Sequence, residues 1–145
     1  MSTQAIHDRA RADRLRLEAI PLPANVPSLV FSAAEACPQQ LALSFFEDGW
    51  ELTYEELADR VKALAAGLAT TGIGHGSHVG VMVTNKPAFP VTWFALLSLG
   101  AVMVPINTRY TARELDYVLT KADASHLVIE ADILRELGPS PERPP

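Results

Sequence analysis

Cysteine is nearly missing from this chain: Cys37 is the one example in 145 residues. No internal disulfide can form, and a metal site built from cysteines alone is excluded. A reducing compartment is therefore allowed, and a cytoplasmic location is the expectation. Basic charge is also in short supply. The 12 Lys and Arg residues are outnumbered by 17 Asp and Glu, for a formal net charge of −5. Such a chain projects no positive field toward nucleic acid or an anionic membrane surface. An apolar leader is lacking too. The segment up to Ile20 carries Asp8, Arg9, Arg11, Asp13, Arg14, Arg16 and Glu18 and no hydrophobic run. That pattern argues against a secretory signal, and its acidic residues argue against a mitochondrial presequence.

Charge itself disappears between Lys86 and Arg109, a window long enough to cross a bilayer. Pro87, Pro90, Gly100, Pro105 and Asn107 interrupt it, however. A short helix followed by a buried strand explains the stretch, and no transmembrane span is expected.

Catalytic signatures are equally sparse. Gly72-Ile73-Gly74-His75-Gly76 suggests a phosphate loop, but such a loop must follow a strand and open a helix so that amides point at the anion. Here the glycines follow a helical pattern and precede a strand-like one, which reads as a helix stop and turn. His7, His75, His78 and His126 are scattered, with no i,i+4 pair suited to a metal, and His75 and His78 read as solvated loop residues. Ser44, Ser77 and Ser98 lack a nucleophile-elbow context. Cys37, near a predicted helix C-terminus, lacks an activating dipole. The pairs Glu55/Asp59 and Glu114/Asp116 read as solvated helix faces. No residue is assigned as catalytic, cofactor-binding or metal-ligating.

What remains is a strong alternation of elements. Ala5–Ala19 reads as a charged helix, followed by a linker-like stretch punctuated by Pro21, Pro23 and Pro27. Ser28 is the predicted cap of a helix reaching about Cys37, with Val30, Phe31 and Ala34 on one face and Pro38 as its stop. Leu41–Phe46 and Trp50–Leu52 read as strands joined by the turn dipeptide Asp48-Gly49. Thr53-Tyr54-Glu55-Glu56 is a capping box. Behind it, Tyr54, Leu57, Val61, Leu64 and Leu68 recur on one apolar helix face, of which Leu57, Val61, Leu64 and Leu68 are predicted to be buried together, with Glu56 and Arg60 as an i,i+4 pair. Gly72 is the expected left-handed stop.

From His78 the pattern changes. His78–Val83, Ala101–Val104 and His126–Ile129 are short apolar runs suited to strands, separated by helical segments at Val91–Leu99 and after the second capping box, Thr111-Ala112-Arg113-Glu114. That second helix is predicted to bury Leu115, Val118, Leu119 and Ala122. Ile133, Leu134 and Leu137 suggest a last helix. The alternation predicts a parallel βαβαβ sheet with right-handed crossovers. Gly138 onward, rich in proline, is expected to be a flexible tail without core packing.

Two blocks carry a family resemblance. Leu52-Thr53-Tyr54-Glu55-Glu56-Leu57 resembles the first core motif of the adenylate-forming superfamily, and Phe94 through Asn107 resembles the second. Gly72–Val83, then Asn85 with Phe89, and Tyr110–Leu119 look like the intervening and following family segments. The resemblance spans about residues 28–135 in correct order, and the Asn107 ending is closest to AMP-forming acyl-CoA synthetases. It implies an α/β fold: the partial N-terminal subdomain of the adenylate-forming fold, a parallel sheet with flanking helices plus an N-terminal β-hairpin. Residues 1–27 are then a helix and linker, 28–137 the partial AMP-binding domain and 138–145 the tail.

By resemblance, the full-length family uses ATP, Mg and coenzyme A. It adenylates a carboxylic acid and then forms the CoA thioester. The phosphate loop, the ribose-binding acid and the C-terminal lid with its lysine lie downstream of the segment present here. The chain is therefore expected to be a fragment of an acid–CoA ligase, inactive alone and binding none of these cofactors. A free-standing interaction or regulatory domain, or one half of a split ligase, is the alternative. The Val104–Asn107 ending suggests a fatty acid or a carnitine-like acid. The expected partners are the missing downstream ligase segments or a second copy, drawn to apolar surface in Pro87–Thr108.

Overall fold

Chain order in the computed structural model, which describes residues 3–47, 49–141 and 143–144, is α1 (Thr3–Glu18), α2 (Val26–Ala36), β1 (Leu41–Phe45), β2 (Trp50–Thr53), α3 (Tyr54–Thr70), β3 (His78–Met82), α4 (Ala88–Ser98), β4 (Val102–Pro105), α5 (Ala112–Lys121), β5 (His126–Ile129) and α6 (Ala131–Leu137). Strands β1 and β2 form a separate antiparallel hairpin, with Phe45 opposite Trp50. Asp48 of the expected turn lies outside the described residues; its neighbour Gly49 has φ +63.

Local chemistry starts the helices. Both Thr boxes form as read. The Thr53 hydroxyl accepts from the Glu56 amide at 3.3 Å while the Glu56 carboxylate accepts from the Thr53 amide at 2.9 Å. Thr111 and Glu114 repeat the exchange at 3.4 and 2.8 Å. Each box satisfies amides that a helix start leaves orphaned. The predicted start of α2 is corrected. Asn25 is its cap, accepting from the Ser28 amide at 2.9 Å, and Ser28 occupies the third helical position. Pro27 lies inside the first turn rather than in a linker. A proline there sacrifices no helical hydrogen bond, which is why the helix begins earlier than Ser28.

The apolar face of α3 is also corrected. Leu57 and Val61 are buried as expected, but Ala58 and Ala65 complete the buried stripe, and Leu64 and Leu68 are half-buried. Leu64 packs with Val30, Leu52 and Val91, whereas Leu68 joins a different cluster under the sheet. The helix spans two clusters because its length exceeds either one. Nor do Glu56 and Arg60 pair: Glu56 is committed to its cap, and the Arg60 guanidinium lies 5.5 Å from the Trp50 ring centroid.

The second sheet has the order β4-β3-β5, all parallel, with Val79 opposite Met103 and His126. Only side chains of alternate direction fill its two faces. Val79 and Val81 pack with Ile73, Leu96 and Ala101 on the α3/α4 side. Met82 packs with Ile106, Leu115 and Leu119 on the α5 side. Gly80 shares that second face, where a Cβ would meet Leu119 Cδ2 at 2.6 Å, so the absent side chain sets how closely α5 approaches. Gly100 makes the hand-over from α4 to β4 with φ +70, and a Cβ there would press on the His75 ring at 2.9 Å. Leu115 and Leu119 are buried as read, while Val118 and Ala122 are only half-buried.

Three further expectations change. Strand β4 is not buried: it is an edge, with Val102 46% exposed. His78 is not a solvated loop residue. It starts β3, and its Nδ1 lies 2.6 Å from the Ala122 carbonyl, tying the end of α5 to the sheet. The tail expected to lack packing folds against α5. Arg143 Nε donates to Asp116 at 2.8 Å with the Arg143 side chain 6% exposed, and the Ser140 hydroxyl donates to the same carboxylate. Asp116 is thereby removed from the solvated face to which it was assigned.

Leu57, 2% exposed at the meeting of α2, α3 and the hairpin, is the site to test. Leu57→Ala is expected to cost about 2–5 kcal/mol in urea unfolding. Leu64→Ala, at a half-buried site, should cost clearly less. Equal losses would contradict the corrected helix face.

Candidate functional site

In an open parallel sheet, ligands collect beyond the C-terminal ends of the strands, where the strand order reverses. Here the chain moves from β3 to β4 on one side and then to β5 on the other, so the reversal lies between β3 and β5. The loop after β3 supplies Thr84, Asn85 and Lys86, and the end of β5 supplies Glu130.

Thr84, Lys86 and Glu130 bind one another. One Glu130 oxygen accepts from the Thr84 amide at 2.6 Å and from the Thr84 hydroxyl in a short bond. The other accepts from Lys86 Nζ at 2.9 Å. The Thr84 hydroxyl first, then Lys86 and the Thr84 amide, lower the Glu130 pKa to about 2. A carboxylate held so far below neutrality remains ionised and serves neither as general acid nor as general base at physiological pH. It is a fixed clamp joining two loops 46 residues apart in sequence. Sequence reading missed it. Glu130 was visible as an acid at the end of a predicted strand, but its partner lies in a different loop and no local spacing links them.

The residues considered and set aside from sequence are used structurally. The Gly74 amide donates to the Ser77 hydroxyl at 3.0 Å within the turn. Ser44 donates to Glu51 across the hairpin, and Ser98 donates to the Phe94 carbonyl. The Cys37 thiol donates to the Ala33 carbonyl, as a helix-end group does. Ser125 Oγ lies 2.9 Å from His126 Nδ1, a nucleophile–base spacing. The other His126 ring nitrogen, however, contacts the Thr71 carbonyl at 3.0 Å, so the ring stitches the end of α3 to the start of β5. This pair lies at the N-terminal edge of the sheet, opposite the reversal. Among the described residues no group of His, Cys, Asp and Glu is arranged to hold a metal ion. No described helix is long and apolar enough to cross a membrane.

Both family-like blocks are spent on the scaffold. In the first, Leu52 and Leu57 are buried, and Thr53 and Glu56 cap α3. In the second, Gly100 turns the chain, Pro105 ends β4 and the Asn107 side chain accepts from the Arg109 amide at 3.0 Å.

Comparison with known proteins agrees with that architecture. The family model described as AMP-binding enzyme matches residues 30–144. The chain belongs to this family. It is 33% identical over 116 residues to the long-chain-fatty-acid–CoA ligase of Bacillus subtilis, a match covering 79% of this chain and 20% of the relative. It is 44% identical over 80 residues to a feruloyl-CoA synthase of Amycolatopsis, covering 55% of this chain and 16% of that protein. The chain thus spans at most about a fifth of the length of these relatives. Among solved structures, the N-terminal subdomain of Klebsiella oxytoca NpsA, in complex with anthranilyl-AMSN, superposes with a TM-score of 0.69 at 33% identity. That match covers 74% of this chain and 28% of the other. The fold is the α/β N-terminal subdomain type of adenylate-forming enzymes, with the parallel sheet and flanking helices the sequence predicts.

The Glu130 clamp has a defined pH signature. Its folded pKa lies below its unfolded value, so its contribution to stability is complete above the ordinary Glu range, near about 4.3, and is lost as pH falls toward about 2. Glu130→Gln should therefore be less stable than wild type at pH 7, and the difference should shrink between about pH 4.5 and pH 2. Thermal melts across that range check it. A pH-independent difference would show that the carboxylate charge is not the stabilising element.

Proposed function

We propose that this chain furnishes part of the N-terminal α/β body of an ATP-dependent acid–CoA ligase and carries out no adenylation by itself. The observation that carries the reading is the combination of family membership with a strand-end crevice in which Thr84, Lys86 and Glu130 are bound to one another. Carboxylate activation at the α-phosphate of ATP requires donors aimed at phosphate oxygens and at the charge that develops on them. The described crevice residues offer ATP no arranged phosphate donors: the Thr84 amide and hydroxyl and the Lys86 ammonium are engaged by the Glu130 carboxylate. The adenylation and thioester steps are therefore assigned to the rest of the ligase. The role of this chain is to hold the scaffold on which the site is completed.

An apolar carboxylic acid of the fatty-acid class is the substrate proposed for the complete enzyme, supported by the name of the Bacillus subtilis relative. A cytoplasmic location is proposed with it, since CoA thioester formation draws on ATP and coenzyme A.

Acid-dependent exchange of pyrophosphate into ATP tests the first part. The purified chain, offered a panel of fatty and aryl carboxylic acids, is expected to give no exchange above a protein-free control. Robust exchange would overturn the reading that the chemistry resides elsewhere.

A further inference from the structure

Thr92 on helix α4 is 4% exposed, and among the described residues it is the buried polar one. A hydroxyl inside a helix ordinarily bonds back to the carbonyl one turn earlier. Ser98 does so to Phe94 at 2.7 Å, and Thr120 does so to Asp116 at 2.9 Å. Thr92 does not: its hydroxyl has no hydrogen-bond partner among the described residues. A buried polar group left unbonded costs stability and calls for an explanation. Thr92 lies in the wall of a cleft of about 570 Å³, bounded also by Trp50 of β2, Arg60 and Leu64 of α3, and Ala88 and Val91 of α4. That volume is within the range of small-molecule sites.

The charge of the cleft is one-sided. Arg60 is the ionisable residue in its wall. The acidic residues near it in the chain are engaged elsewhere. Glu51 accepts from Ser44, Glu55 accepts from Gln39, Glu56 caps α3, and Asp59 pairs with Lys62 at 3.9 Å. The Arg60 guanidinium lies instead 5.5 Å from the Trp50 ring centroid. Such a cation–π contact holds the group in place without using its N–H donors. What separates Arg60 from an ordinary solvated arginine is this ring, which fixes it in a cleft whose wall also carries an unbonded hydroxyl.

We propose that this cleft binds a small monocarboxylate with an aliphatic body. Arg60 takes the carboxylate through two parallel N–H bonds, the geometry a planar guanidinium matches. The Thr92 hydroxyl supplies a second polar anchor, and Leu64, Ala88 and Val91 cover the body. An aliphatic body is favoured over a flat ring because Arg60 already occupies the Trp50 face. A single cation in the wall suits one negative charge rather than the two of a phosphate monoester. The site uses none of Thr84, Lys86 and Glu130, so it stands or falls separately from the function proposed above.

The test titrates the full chain with octanoate, octanamide and acetate by calorimetry, and amide NMR spectra locate the contact. Octanoate is expected to bind saturably, in the millimolar range or tighter, and to shift the Trp50 indole and the Leu64, Ala88 and Thr92 amides. Octanamide lacks the charge and acetate lacks the body, so each should bind roughly tenfold or more weakly. Arg60→Gln, at an exposed site, should fold as the parent does and lose octanoate affinity roughly tenfold. Thr92→Val replaces the hydroxyl with a methyl of similar size. It should weaken octanoate binding several-fold without lowering the melting temperature, because no bond within the fold is lost. A lower melting temperature for Thr92→Val would show the hydroxyl to be bonded within the fold and would overturn the proposal. So would an absence of saturable octanoate binding, equal binding of octanamide, unchanged affinity in either variant, or shifts centred outside the cleft.

Discussion

Strand β3 is the element on which the rest of the structure depends. It is the one strand of the parallel sheet paired along both edges, and Val79, Val81 and Met82 are fully buried. Its neighbours inherit their positions from it. Val79 and Val81 receive α3 and α4 on one face, while the bare Cα of Gly80 lets Leu119 of α5 close on the other. Parallel strands must be joined by crossovers, so covering both faces of β3 and fixing the connectivity are a single constraint. The His78–Ala122 and His126–Thr71 contacts then tie helix ends back to the same sheet.

The two ends of that sheet serve different purposes. At the N-terminal edge, histidines stitch helices to strands. At the C-terminal edge, where an α/β fold ordinarily opens a ligand crevice, Glu130 gathers Thr84 and Lys86. A pKa held near 2 marks a carboxylate stabilised in its charged form, the opposite of the tuning a proton-transferring group requires. The fold therefore presents the frame of an adenylate-forming enzyme, with Thr84, Lys86 and Glu130 bound to one another at that edge.

The family-like motifs show why conserved-looking sequence and chemistry can separate. Thr53 and Glu56 in the first block are the two halves of a reciprocal cap that starts α3. Gly100 and Asn107 in the second block serve a positive-φ turn and a side-chain-to-backbone bond after β4. These roles are local, so the residues announce the fold.

Local order was therefore legible in the residues: the two Thr boxes, the strand–helix alternation, the Gly72 stop and the parallel sheet all follow from short-range spacing, which acts within one or two turns of chain. The start of α2 was misread because Asn25 and Ser28 are both competent caps, and only the Pro27 geometry separates them. Burial of Leu64 and Leu68 was overstated because periodicity names a helix face without saying how far the neighbouring elements extend along it. The Glu130 clamp, the edge position of β4 and the docking of Arg143 on Asp116 were decided by tertiary structure alone. Each depends on which segments meet across long stretches of chain. Sequence fixes the character of every segment, but the reach of a hydrogen bond or an apolar contact is set in space, and only the assembled sheet brings those partners within it.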